Sequence, residues 1–319
     1  TMSLESLTSA FGVSGFEDDV RRRILDVVGK AEVDDFGNVL VGGKSGVAFV
    51  AHMDEVGLLV TSIEDDGRLK FRKVGGIDDR ILPGSRVVLY GEGVRLEGVI
   101  GIAPPHFQQQ QQQTSWQDLY IDVGATSKQE AESMGVAPMM PAAFKREYAE
   151  IGRFVSATAI DDRAGCWALL EAYRMGVDAT FIWTVQEEVG LMGARALASR
   201  SNVRSAVVVD TTACCHPNYT GYVKPGNGPV IRVFDNYGAY NNKLARRIYE
   251  IARKRGIPVQ IGAGGGGTDA AAFFVSGIPA VSIGILSKYS HSPVEMAHKD
   301  DLKYVVELIA AIAEELPRP

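Results

Sequence analysis

Hydrophobic and polar positions fall into three textures along the chain. At the start, "SLESLTSAFG" and "FEDDVRRRILDVVG" carry acids early and glycine at the end, the signature of two helices. Short apolar runs in "AEVDD", "GNVLVG" and "GVAFVAHMDE" follow and predict strands. From about residue 61 to 150 the pattern turns to alternating, β-branched segments, "VGLLVTSIEDDGRLKFRKVGG", "RVVLYGEGVRLEGVIGI" and "LYIDVGA", broken by "DDG" and "GEG" turns. From "RFVSATAIDDRAGCWALLEAYRMG" onward, short and nearly continuous apolar runs ("ATFIWTVQ", "SAVVVD", "PVIRVF", "PVQIG", "AVSIGIL") alternate with amphipathic helices such as "NNKLARRIYEIARKRG" and "LKYVVELIAAIAEEL". Runs of that kind are expected in strands buried on both faces.

The alternation predicts an α/β fold: a three-layer sandwich with a mixed, mostly parallel sheet, formed by residues 1–60 and 151–319. Residues 61–150 read as a small all-β domain inserted into it. Six glutamines, Gln108 to Gln113, cannot help a packed core and predict a surface loop of that insert, with a gate or contact loop as the functional alternative.

Composition removes several classes of function. The 319 residues are 46% hydrophobic and 23% charged, with a net charge of −6. No basic block or stripe is present, which argues against nucleic acid and against an anionic membrane. No apolar run reaches the ~18 to 20 residues of a spanning helix, and the N-terminal stretch lacks a signal's basic and apolar regions, so the expected compartment is the cytoplasm. Cys166, Cys214 and Cys215 form no disulfide framework, which fits a reducing compartment.

Candidate chemistry sits where apolar runs stop. "GVAFVAHMDE" ends in His52 and Asp54, "SATAIDD" in Asp161 and Asp162, "FIWTVQEE" in Glu187 and Glu188, "AVVVD" in Asp210, and "SKYSHSP" carries His291. Taken singly, an acid at a strand end caps a helix or sits in a solvated turn. Five strand ends that each present a carboxylate or imidazole are not explained by one structural cause. Ligands collect outside the carboxyl ends of strands in open α/β sheets. Imidazoles and carboxylates without thiolate suit Zn, Co or Mn, and two metals sharing one carboxylate account for the number of acids.

In this order and at these spacings, "AHMDE", "AIDDR", "VQEEVGLMGA", "VVVD", "GGTDA" and "HSPVE" resemble the M42 family of metallo-aminopeptidases, the tetrahedral or glutamyl aminopeptidase type, over nearly the whole chain. The resemblance implies removal of N-terminal residues from peptides by two divalent ions, Zn or Co. His52, Asp161 and Asp210 would hold one ion and Asp161, Glu188 and His291 the other. Glu187 would activate the metal-bridging water, and Asp54 would orient the His52 ring by accepting its other N–H. In related metallopeptidases the peptide bond after the bridging Asp is cis, here Asp161 to Asp162. The glycine-rich loop would lie beside the metals, with Gly267, Thr268 and Asp269 as substrate-binding candidates. Family members form homo-oligomers, twelve-subunit particles built from dimers, and the insert would be the dimer contact.

Other readings of these residues stay open. A related dinuclear deacylase or carboxypeptidase uses the same ligands. A glycan hydrolase, a label some family members carry, would need two carboxylates flanking a sugar and no metal. For a metal-stabilised binding module, Glu187 is superfluous. "GAGGGGTDA" could cradle a phosphate at a helix start, but it lacks the Lys-Ser/Thr of a P-loop. Cys214, Cys215 and His216 could ligate zinc, yet have no second cysteine pair. Arg195 could favour acidic N-terminal residues or simply be an exposed helix residue. His106 and His298 are read as surface or structural residues.

Overall fold

The computed structural model describes residues 2–43, 46–104, 106, 115–215 and 223–316. The glutamines at 108–113, read as a surface loop, and His216, read as a zinc-ligand candidate, lie outside the described residues. Two sheets organise the chain: a mixed sheet of 12 strands and a closed six-strand antiparallel barrel.

The large sheet centres on four parallel neighbours in the order Thr180–Thr184, Val47–His52, Ser205–Ala213 and Ala280–Lys288. Every residue of Val47–His52 is buried, as a run with no polar face requires. Its side chains alternate between two cores. Val47, Phe49 and Ala51 pack with the helices Asp18–Val28, Ile160–Arg174, Asn242–Arg255 and Lys299–Glu315, while Ala48 and Val50 pack with Met192–Ala198 and Ala270–Val275. Helices therefore cover both faces of these strands.

Beyond the centre the sheet departs from expectation. Val39–Val41, Glu295–His298, Phe154–Ala157 and Tyr148–Ile151 pair antiparallel, and among the described strands only Val230–Asp235 with Gln260–Ala263 adds a further parallel pair. The sheet is mixed, as expected, but among the described residues antiparallel pairs outnumber parallel ones, so it is not mostly parallel. An unbroken apolar run reports burial on both faces and carries no record of strand direction.

The barrel comprises Gly57–Ile63, Leu69–Val74, Arg86–Gly91, Val94–Ile100, Ile121–Asp122 and Pro141–Phe144, and it has its own apolar core, with Leu58, Val60, Leu69, Leu89 and Ile121 among its members. Closure leaves no free edge strand. Val47–His52 leads into its first strand through only four residues, and its last strand leads back to Phe154–Ala157 and the helix Ile160–Arg174. Glu55, in the first of these crossings, accepts hydrogen bonds from Arg146 of the second crossing, from Arg163 of that helix and from the Gly12 amide.

Cys214 and Cys215 are bonded to each other, a link that leaves the expected absence of a disulfide framework untouched but takes both sulfurs out of the zinc-ligand reading. The link joins adjacent residues and ties no distant segments together, so cysteine spacing gave no sign of it. Among the described residues no helix is long and apolar enough to cross a membrane.

Candidate active site

The carboxyl ends of the central parallel strands converge on a cavity of about 640 Å³ lined by His52, Asp161, Glu187, Glu188, Asp210 and His291. His52 closes its own strand, Asp210 lies in the neighbouring one, and Glu187 and Glu188 follow Thr184 through the left-handed Gln186 (φ 55°). Asp161 and Asp162, joined by a cis peptide bond, have non-helical backbone at the start of the Ile160–Arg174 helix. The seven residues given metal, base or orienting roles are thus all brought together, Asp54 from behind the cavity wall.

Asp161 stands at the centre. Its Oδ1 lies 3.2 Å from His52 Nε2 and its Oδ2 lies 3.4 Å from His291 Nε2. Around His52 Nε2 come Asp210 Oδ1 at 3.6 Å and Glu187 Oε2 at 3.8 Å, and beside His291 Nε2 comes Glu188 Oε1 at 3.2 Å. Ligand atoms of His52, Glu187 and Asp210, and likewise of His52, Asp161 and Glu188, fall within 4.8 Å of one another.

Both imidazoles are set by backbone carbonyls. His52 Nδ1 is 3.1 Å from the Asp54 carbonyl oxygen, and His291 Nδ1 is 2.7 Å from the Gly76 carbonyl oxygen of the barrel. The Asp54 carboxylate, expected to take the His52 N–H, is slightly farther at 3.3 Å. It chiefly accepts the backbone amides of Glu187 (2.9 Å) and Glu188 (3.1 Å) and the Ser14 hydroxyl (2.6 Å).

Electrostatics report an excess of buried negative charge. Burial, then the neighbouring acids, drives Glu187 well above the usual carboxylate range and raises Glu188 and Asp210, against the pull of the histidines. Asp161 goes the other way: burial opposes its charge, but hydrogen bonds from His291 and His52 outweigh it. Burial likewise opposes charge on His291, yet Glu188 and Asp161 push it up to about 12. Such a donor set fits divalent cations, which would supply the charge that two imidazoles cannot.

Of the substrate-binding candidates, Gly267 lines the cavity, whereas Thr268 and Asp269 are buried behind it. Asp269 accepts the Thr184 hydroxyl at 2.5 Å. A side chain at Gly267 would overlap the Tyr237 ring. Arg232, the one Arg or Lys among the described lining residues, donates to the carbonyls of Thr211 and Gly266 and lies 3.7 Å from the Asp235 carboxylate. Arg195 is set apart from the metal-binding candidates, lining a smaller adjoining pocket with Tyr237 and Phe274. His298 is buried and caps the Lys299–Glu315 helix, while His106 is exposed.

Sequence reading missed three supports. Glu17 looked like an ordinary helix-start acid, but it makes no cap and instead accepts the amides of Gly15 and Gln186; burial, then Asp54, raises it to about 7. Asp162 is fully buried and accepts the His52 amide at 3.2 Å. Glu295 accepts the amides of Asp161 and His291. Two of them left a trace, Asp162 as a strand-end acid in "SATAIDD" and Glu295 as an acid in "HSPVE", though neither pattern pointed to a backbone partner.

Comparison with known proteins places these features in context. The M42 glutamyl aminopeptidase family matches residues 37–308. The lysyl aminopeptidase of Pyrococcus furiosus is 32% identical, with 98% of this chain and 96% of that protein aligned. Two solved structures are each 44% identical with 98% of both chains covered: PhTET1-12s, a dodecamer, with a TM-score of 0.92, and the Pyrococcus horikoshii TET1 peptidase, which can assemble into a tetrahedron or a large octahedral shell, with a TM-score of 0.91.

Proposed function

The chain belongs to the M42 glutamyl aminopeptidase family and is a hydrolase acting on N-terminal residues, and from that premise we propose that it does so with two divalent ions, Zn or Co, and Glu187 as general base. His52, Asp161 and Asp210 would hold one ion, and Asp161, Glu188 and His291 the other. The observation that carries this reading is Asp161, whose two oxygens face the two imidazoles separately. When bound, such ions lower the pKa of a shared water and polarise the scissile carbonyl.

The protein's own groups do the rest. Glu187, 9% exposed on the cavity wall, takes a proton from the attacking water and returns it to the leaving amine. Asp54 fixes the backbone on which Glu187 and Glu188 ride. The run from Gly264 to Gly267 lets a peptide main chain approach the cavity without side chains in the way. The two core clusters on the faces of Val47–His52 support a three-layer catalytic domain, assigned to residues 1–60 and 151–319. Residues 61–150 are proposed as the insert and as the dimer contact of a twelve-subunit cytoplasmic particle, although the strands at its edges straddle those bounds: Gly57–Ile63 opens the barrel and Tyr148–Ile151 pairs in the large sheet.

The test is Glu187→Gln. It should retain two ions per chain by mass spectrometry while kcat on aminoacyl chromogenic substrates falls roughly 10²- to 10⁴-fold, the range of a lost general base. Full turnover in that variant would remove Glu187 from the mechanism. Chelation should abolish wild-type activity on these substrates and added Co or Zn restore it; activity that survives chelation would remove the metal ions from the mechanism.

A further inference from the structure

Three buried carboxylates grip the backbone beneath the candidate ligands. Asp162 holds the His52 amide, Asp54 holds those of Glu187 and Glu188, and Glu295 holds those of Asp161 and His291. In the last case the division is one oxygen each: Glu295 Oε2 lies 2.9 Å from the Asp161 nitrogen and Oε1 lies 2.6 Å from the His291 nitrogen.

Glu295 is placed for this by convergence of three segments. It opens the strand Glu295–His298, opposite Ala157 at the end of Phe154–Ala157. From Ala157 the chain reaches Asp161 through the left-handed Ala159 (φ 60°), and from Ala280–Lys288 it reaches His291 through the left-handed Tyr289 (φ 59°), His291 itself having φ 63°. Non-glycine residues in that conformation are held by their surroundings rather than by local preference. Glu295 is 2% exposed, and its two carboxylate oxygens are matched to those two amides.

The geometry points to Glu295 as the positioning residue of one of the two metal sites, the one formed by Asp161, Glu188 and His291. It ties two ligands from remote parts of the chain to one rigid group. The other site depends on it less. Of its three residues only Asp161 is held by Glu295, since the His52 amide goes to Asp162 and Asp210 lies within the paired strand Ser205–Ala213. This inference rests on the dinuclear reading above.

Stepwise titration of the metal-free protein with Co(II), followed by visible absorption and calorimetry, tests it. Wild type should take up two ions. Glu295→Gln keeps the size of the side chain but turns an NH2 toward one of two amide donors, and Glu295→Asp is too short to reach both. Each variant should bind the first ion within a few-fold of wild type and the second about 10- to 100-fold more weakly, the usual effect of removing a ligand's support. Excess metal should restore kcat with KM little changed.

Two equally tight ions in both variants, or equal weakening of both steps, would overturn the assignment. Loss of the circular dichroism of both metal-free variants would overturn it too, by making Glu295 a general structural requirement. Uptake of a single ion by wild type would instead remove the dinuclear reading, and this assignment with it.

Discussion

Asp54 shows how little freedom the carboxylates proposed for catalysis have. Its two oxygens take the amides of consecutive residues, Glu187 and Glu188, and Ser14 donates a third hydrogen bond. Burial opposes its charge, but His52 and these donors hold it below the usual range. Asp54→Asn would put an amide nitrogen against one of these donors. We expect kcat to fall 10- to 100-fold and metal affinity to weaken by a similar factor, with KM nearly unchanged, measured by steady-state kinetics and metal titration. The same pairing answers how adjacent glutamates can differ in role. Their shared backbone anchor leaves Glu187 toward His52 and Glu188 toward His291.

At the scale of elements, the helix Ile160–Arg174 bears most of the constraint. Gly165 lies inside it, where replacement by alanine ordinarily adds about 0.5–1 kcal/mol of stability. Here a Cβ would overlap the Asp162 carboxylate and the Val209 carbonyl, and overpacking of that kind costs about 1–3 kcal/mol. Gly165→Ala should therefore destabilise the protein in urea titration and weaken metal uptake, since Asp162 holds the His52 amide. The helix, its apolar neighbours and the polar residues closing each strand were legible in the sequence because periodicity and abrupt polarity changes are local. Strand direction was not, and neither were Glu17, Asp162 or Glu295 as supports. Their partners are backbone amides as many as 169 residues away, and an amide leaves no mark in a sequence.

Across the whole molecule, the barrel and the α/β body meet at Glu55, buried with Arg163 and beside Arg146. Burial would raise this carboxyl, but Arg146 and Arg163 and their hydrogen bonds pull it below the usual glutamate range. A depressed acid contributes stability that is fully present above its unfolded pKa and is lost as pH falls through the folded one. Glu55→Gln, which leaves buried guanidiniums unpaired, should cost about 3–5 kcal/mol at neutral pH. That difference should shrink as pH drops below about 4.5, as read by urea unfolding at a series of pH values. The barrel has a core of its own, and by that measure it is an independent module. Yet Gly76, whose carbonyl sets the His291 ring, belongs to the loop after Leu69–Val74, and the two chain crossings lead straight to His52 and to Asp161. Excising the barrel and splicing its ends with a short linker would thus not yield a functional monomer: the cut would sever the imidazole's brace and splay the residues proposed as metal ligands.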